Sequence, residues 1–138
     1  DFENWCQIGK IIFPYAEGGP EFWDTGNTGA STLGQNLTVS SEDTPTGSGL
    51  SAELTTKFVG IAGIGKLGAG SIFTGKFAKV DGTNGILDFG RPWNLRPTKL
   101  HGYYKYKTAA IDYVSSEFAS LKGRPDTCFI YVALADKK

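Results

Sequence analysis

Ala52-Glu53-Leu54-Thr55-Thr56-Lys57-Phe58 is the stretch that decides the fold. Ala52, Leu54, Thr56 and Phe58 alternate with Glu53, Thr55 and Lys57. A period of two sends one set to a buried face and the other to solvent, the pattern of a half-buried β-strand. The pattern recurs further along the chain. Ile72-Phe73-Thr74-Gly75-Lys76-Phe77-Ala78-Lys79-Val80 reads as another strand, closed by the hairpin signal Asp81-Gly82. Lys99 to Lys107 reads as a long strand with Leu100, Gly102, Tyr104 and Tyr106 on one face and His101, Tyr103, Lys105 and Lys107 on the other. Shorter strands are expected at Phe2-Glu3-Asn4-Trp5, around Leu37 and Val39, at Ile86 to Phe89 and at Phe129 to Leu134. Ile11-Ile12-Phe13 reads as a strand or an extended loop, and Ala109 to Leu121 as a short helix or a meandering loop. About six to eight short strands, punctuated by Gly and Pro and without βαβ alternation, predict an all-β fold of two packed antiparallel sheets. The expected core holds Leu54, Phe58, Phe73, Phe77, Leu100, Tyr104 and Ile130.

Composition agrees with that class. The 138 residues suit one domain, 1–138, around one core. Nineteen glycines without a triplet period, with nine Phe, six Tyr and three Trp, argue against both collagen and disorder. Fourteen Lys and Arg balance fourteen Asp and Glu, so the electrostatic footprint of a dedicated nucleic-acid binder is missing. No apolar run approaches the length of a spanning helix. The sequence opens and closes in strand-like segments (Phe2 to Trp5, Cys128 to Ala135), so a piece of a longer protein is expected, incomplete at its C-terminus. Cys6 and Cys128 with the single His101 do not complete a zinc site. They either form a bridge, if the first and last strands are neighbours, or are small buried hydrophobes.

Two nucleotide-binding patterns occur and neither fits its context. Gly63-Ile64-Gly65-Lys66-Leu67-Gly68 matches G-x-G-x-x-G, but strand-like sequence follows where the motif needs a helix N-terminus to hold a pyrophosphate. Gly60 to Lys66 matches G-x-x-x-x-G-K, but Leu67 stands where a Ser or Thr must ligate magnesium. Small residues that let two strands approach closely, or a mobile loop, explain the glycines better. No nucleotide or nucleic-acid partner is expected. Asn36-Leu37-Thr38 is a glycosylation sequon by pattern.

Phe2-Glu3-Asn4-Trp5, Phe22-Trp23-Asp24-Thr25-Gly26-Asn27, Ala52 to Thr56, Ile72 to Phe77, Arg96-Pro97-Thr98-Lys99-Leu100-His101-Gly102-Tyr103-Tyr104-Lys105-Tyr106 and Asp126 to Leu134 form an ordered series over nearly the whole chain. That series resembles the putative carbohydrate metabolism domain of Bacteroidetes surface lipoproteins. The resemblance implies a jelly-roll sandwich like those of carbohydrate-binding modules. It also implies a place at the cell surface or in the periplasm, anchored to the outer membrane in the full-length protein. It supplies no catalytic residues.

The implied function is non-catalytic binding of a polysaccharide or oligosaccharide, with other surface proteins as further partners. The alternatives are a glycoside hydrolase and a structural or protein-interaction domain. Sugar sites on sandwiches pair exposed rings with amide, carboxylate or guanidinium groups. Trp23 with Asp24 and Asn27 offers that combination, and Trp93 with Asn94 and Arg91 offers a second. Tyr103, beside His101 and Lys105, offers a third on the outer face of its strand. Hydrolysis needs two carboxylates across a cleft. Glu3, Glu17, Glu21, Asp24, Glu53, Asp81, Asp88, Asp112 and Glu117 are present, and no pair stands out by spacing. No cofactor is expected. A structural calcium between Glu3 and Asp136 would require the terminal strands to meet.

Overall fold

The computed structural model describes residues 1–61, 64–82 and 84–136, in two compact units, Asp1–Pro97 and Thr98–Lys138. The first unit carries every strand among the described residues. In chain order these are β1 (Cys6–Ile8), β2 (Ile11–Phe13), β3 (Trp23–Thr25), the short helix α1 (Asn27–Ser31), β4 (Thr38–Ser41), β5 (Ser51–Leu54), β6 (Lys57–Ile61), β7 (Ile64–Gly68), β8 (Ile72–Asp81) and β9 (Asn84–Phe89). All pairing is antiparallel, as β1-β2, β3-β8-β9, β4-β5 and β6-β7. The all-β class is therefore observed, as several small sheets rather than a closed barrel.

Local chemistry explains most of these elements. The Asp81-Gly82 signal makes the β8–β9 hairpin: Asp81 pairs with Asn84, and Gly82 takes φ +60°, a left-handed conformation that costs glycine nothing. Gly75 has φ +138°, and a Cβ there would lie 2.1 Å from the Asp88 carbonyl, so only glycine lets β8 and β9 come this close. The alternating stretch Ala52 to Phe58 is not one strand. It breaks at Thr55-Thr56 into β5, which pairs with β4, and β6, which pairs with β7; the Thr55 N–H still continues the β4–β5 register to the Leu37 carbonyl (2.8 Å).

The inner side chains are polar. Thr25, Asn27 and Thr38 are fully buried, and among the described residues the buried apolar cluster is Ala30, Leu37 and Val59. Asn27 sits at the centre. Its Nδ2 donates to the carbonyls of Ile12 (2.8 Å) and Thr38 (2.7 Å), and its Oδ1 accepts from the N–H groups of Leu37 (2.8 Å) and Thr38 (3.0 Å). Thr38 Oγ1 in turn donates to the Ser71 carbonyl and accepts the Ser71 N–H. One amide thus joins α1, β2 and β4, and Thr38 extends the tie to the chain just before β8. Asn36, the sequon residue, works alike at the edge of β2, accepting from Ile12 N–H and donating to the Lys10 carbonyl.

The expected core needs correction. Phe73 and Phe77 are half-buried, while Leu54, Phe58, Leu100, Tyr104 and Ile130 are exposed. Alternation gives each segment an apolar face, but burying it takes a second layer, which Leu54 and Phe58 lack within the first unit. The strands expected at Phe2 to Trp5, Lys99 to Lys107 and Phe129 to Leu134 are not strands either.

In the second unit a loop is closed at its neck by an Ala110–Pro125 bridge and by the bonds Ile111 N–H to Arg124 O and Asp126 N–H to Ala109 O. A 3-10 helix, Ser116–Leu121, lies within the loop, settling the open reading of that segment. The Asp126 carboxylate caps the neck, taking the Ala109 N–H at 2.7 Å and the Thr108 hydroxyl at 2.8 Å. The Ala109 N–H, with the Tyr106 and Thr108 hydroxyls, holds its pKa below the usual value. Cys6, in the first unit, is half-buried and Cys128, in the second, is exposed, so the two are not both buried hydrophobes.

Candidate functional site

Trp23 is the ring around which a site forms. It lies on β3, whose register with β8 pairs Trp23 with Thr74, Asp24 with Phe73 and Thr25 with Ile72. Phe2 and Phe22 hold the indole, with ring centroids at 5.1 and 5.3 Å, the second edge-on at 81°. Contacts of this kind fix a ring at little entropic cost and leave another part of it open. Trp23 is accordingly half-buried. Tyr15 follows the buried Pro14 out of β2, and its ring lies 5.2 Å from that of Phe13.

Two clefts share Tyr15 and Trp23 as a wall. The smaller, about 160 Å³, adds the Phe13 and Phe77 rings and four charged residues, Glu21, Asp24, Lys76 and Arg91. The larger, about 260 Å³, adds Phe22 and Pro20, with Asp1 and Asn4 as polar groups. Burial, reinforced by the negative charge of Glu21, pushes the Tyr15 phenol up to about 12. It therefore stays a neutral donor and acceptor throughout the physiological range.

The charged residues are set by the sheet. Continuing the β3–β8 register two residues past Trp23 places Glu21 opposite Lys76, and the two form an ion pair at 3.2 Å. Asp24 is built into the backbone, Oδ1 accepting the Thr25 N–H and Oδ2 the Phe77 N–H, both at 2.7 Å. Arg91 leaves the end of β9 after Gly90, whose N–H bonds the Thr74 carbonyl at 2.7 Å. It reaches back across the sheet, where Nη2 donates to the carbonyls of Glu21 and Gly75. Its Nε is buried and has no acceptor among the described residues.

The structure redistributes the residues expected from sequence. Trp23, Asp24 and Arg91, drawn from two separate candidate groups, line one cleft. Asn27 is corrected: it is fully buried, with its amide engaged by four backbone groups, and so presents nothing to a ligand. An Asn that follows Gly26 and lies two residues before Gly29 reads as a loop residue, and only the packing of β2 and β4 around it makes it internal. Trp93 is 52% exposed and Asn94 is exposed, and neither lines the two clefts. Tyr103, 86% exposed, belongs to the second unit. Sequence reasoning missed Tyr15 and Lys76, and placed Glu21 only among the carboxylates. Glu21 and Lys76 become neighbours through a register that the isolated sequence does not disclose.

The other sequence features find structural places. Gly65 and Gly68 lie in β7, and a Cβ at Gly65 would meet the Val59 carbonyl at 2.3 Å. Close strand approach accounts for Gly65, whereas a Cβ at Gly68 would meet the Leu37 and Val59 side chains at 2.6 and 2.8 Å, and the next element is a strand. Gly63 lies outside the described residues. Glu3 accepts the Leu50 N–H at 2.7 Å, and Asp136, its suggested calcium partner, lies in the second unit.

A family model described as "Putative carbohydrate metabolism domain" matches residues 1–138. No curated protein and no solved structure matches the chain.

Proposed function

The chain belongs to the putative carbohydrate metabolism domain family, and from that premise we propose that it is a non-catalytic glycan-binding domain. Its site is the Tyr15–Trp23 wall with the cleft on each side. One observation carries this reading: the two rings line both clefts, and each cleft sets polar groups beside the rings. Sugar rings present apolar C–H faces and a rim of hydroxyls. An indole and a phenol would take the faces, while Glu21, Lys76, Asn4 and the Tyr15 hydroxyl would exchange hydrogen bonds with the rim. Asp24 and Arg91 frame the smaller cleft, with Asp24 locked by backbone amides. Trp93 with Asn94 on the first unit, and Tyr103 on the second, are further candidate contact points, each taken by itself.

Three further parts of the proposal rest on the family resemblance: assembly of the small sheets into a jelly-roll sandwich, a place at the cell surface or periplasm in an outer-membrane-anchored protein, and a role in polysaccharide utilisation. A glycan array probed with the full chain tests the function. On any hit, Trp23→Ala and Tyr15→Ala should each weaken binding by about 2 kcal/mol, as loss of an aromatic anchor does. Trp93→Ala and Tyr103→Ala should do less. A blank array would overturn the reading. Loss confined to Trp93→Ala or Tyr103→Ala would move the site, and turnover of a bound polysaccharide would replace binding by hydrolysis.

A further inference from the structure

Resting on the glycan-binding reading, we propose that the two clefts are two sugar subsites divided by the Tyr15–Trp23 wall, and that together they read two linked residues of an uncharged glycan. The chain between the two rings makes the division. It is held by the Gly19 N–H on the Ala16 carbonyl at 2.8 Å and the Phe22 N–H on the Pro20 carbonyl at 2.9 Å. The second bond spans two residues, a γ-turn with Glu21 at its tip. Pro20 and Phe22, on either side of that tip, line the larger cleft, while Glu21 lines the smaller. The clefts therefore flank one strip of chain instead of running on as a single groove. At about 160 and 260 Å³, each falls below the roughly 300–1,000 Å³ of a pocket that encloses a drug-sized ligand. Each has room for one sugar ring, and neither for an oligosaccharide.

The class of sugar follows from the charges. In the smaller cleft two carboxylates stand beside two cations, and all four are engaged. Glu21 pairs with Lys76 at 3.2 Å, Asp24 accepts two backbone N–H groups, and Arg91 donates to the carbonyls of Glu21 and Gly75. The Arg91 Nε is buried and offers no surface to a ligand. In the larger cleft the charged side chain among the described residues is Asp1. A charged sugar would have to displace one of these partners and shed its own water, which is costly. A hydroxyl needs only a group that both donates and accepts. The Tyr15 phenol, held protonated by a pKa that burial pushes up to about 12, is such a group on the shared wall. The exposed Asn4 carboxamide is another, in the larger cleft. Trp23, fixed by Phe2 and Phe22, supplies the apolar surface for a sugar face.

Calorimetry with the full chain tests this. The probes are ladders of one to six sugar residues from cellulose, xylan, mannan and starch, and from any further glycan that the array returns, with a polygalacturonate ladder as the charged case. On at least one neutral ladder the disaccharide should bind about 10-fold or more tightly than the monosaccharide, the gain from one or two further hydrogen bonds. The third to sixth residues should add little beyond the statistical gain of more registers on a longer chain. Saturation-transfer NMR on that disaccharide should show magnetisation reaching both rings. Tyr15→Phe keeps the ring and removes the hydroxyl, so it should weaken the disaccharide about 2- to 10-fold, the loss of one neutral hydrogen bond. Equal affinity for mono- and disaccharide, saturation of one ring alone, or a steady climb in affinity to the hexasaccharide would overturn this inference and leave the glycan-binding reading standing. So would tighter binding of the polygalacturonate ladder, or a Tyr15→Phe variant that binds as the parent does. A blank array with no heat from any ladder would remove both.

Discussion

In β8, Phe73, Gly75 and Phe77 alternate with Thr74 and Lys76, and the turn at Gly82 delivers β9 directly alongside. From Lys99 to Lys107 the alternation is as regular, yet no strand forms. Both segments carry an apolar face. They differ in how a partner is reached. The partner of β8 follows it through a tight turn, so little chain entropy opposes pairing, and β3 then adds to the other edge. Lys99–Lys107 is followed by the loop closed at Ala110 and Pro125. Continuing the register of that neck would bring Lys105 opposite Ile130 and Tyr103 opposite Val132, but the described ladder stops at the neck. Alternation thus specifies which residues share a face, and a local turn decides whether the face is completed.

The comparison breaks most sharply at Asn27. Asn27→Leu should leave two buried N–H groups and two buried carbonyls without partners. At about 1–3 kcal/mol for an orphaned buried group, a loss of roughly 3–5 kcal/mol is expected after relaxation. Urea titration of the variant measures it. A loss below about 1 kcal/mol would mean that the polar centre does not hold the first unit together.

A smaller and local effect belongs to the neck of the second unit. Hydrogen bonds from Ala109, Tyr106 and Thr108 depress the Asp126 pKa. The stability they confer is therefore present above the ordinary carboxylate range and lost as pH falls through the depressed value. Hydrogen exchange at the Ala109 amide should rise on acidification in that window, beyond the intrinsic pH trend. Asp126→Asn should remove the extra rise.

The smallest effect is expected where the alternating segments stay unpaired. Tyr103 and Phe129 are 86% and 88% exposed, so Tyr103→Ser and Phe129→Ser should change stability by no more than about 0.5 kcal/mol. A loss above about 1 kcal/mol in either variant, measured by the same urea titration, would show that these faces are covered after all. That result would favour a closed jelly roll over separate units.

Much of the first unit was legible in the residues. The period of two and the Asp81-Gly82 turn located β8 and β9, because both signals act between near neighbours. Trp23, Asp24 and Arg91 were legible as residue types suited to a sugar, although two separate sites were expected for them. What only the tertiary structure decided is their convergence. The β3–β8 register sets Glu21 against Lys76, and the return of the chain at Gly90 carries Arg91 across the sheet to Trp23, away from Trp93. The same holds for Asn27. A carboxamide beside glycine suits a surface turn and a buried staple equally well, and the carbonyls of Ile12 and Thr38 choose between them. Pattern determines the face each residue belongs to. Non-local pairing determines what that face meets, because register between distant segments is set by the whole set of hydrogen bonds rather than by any one segment.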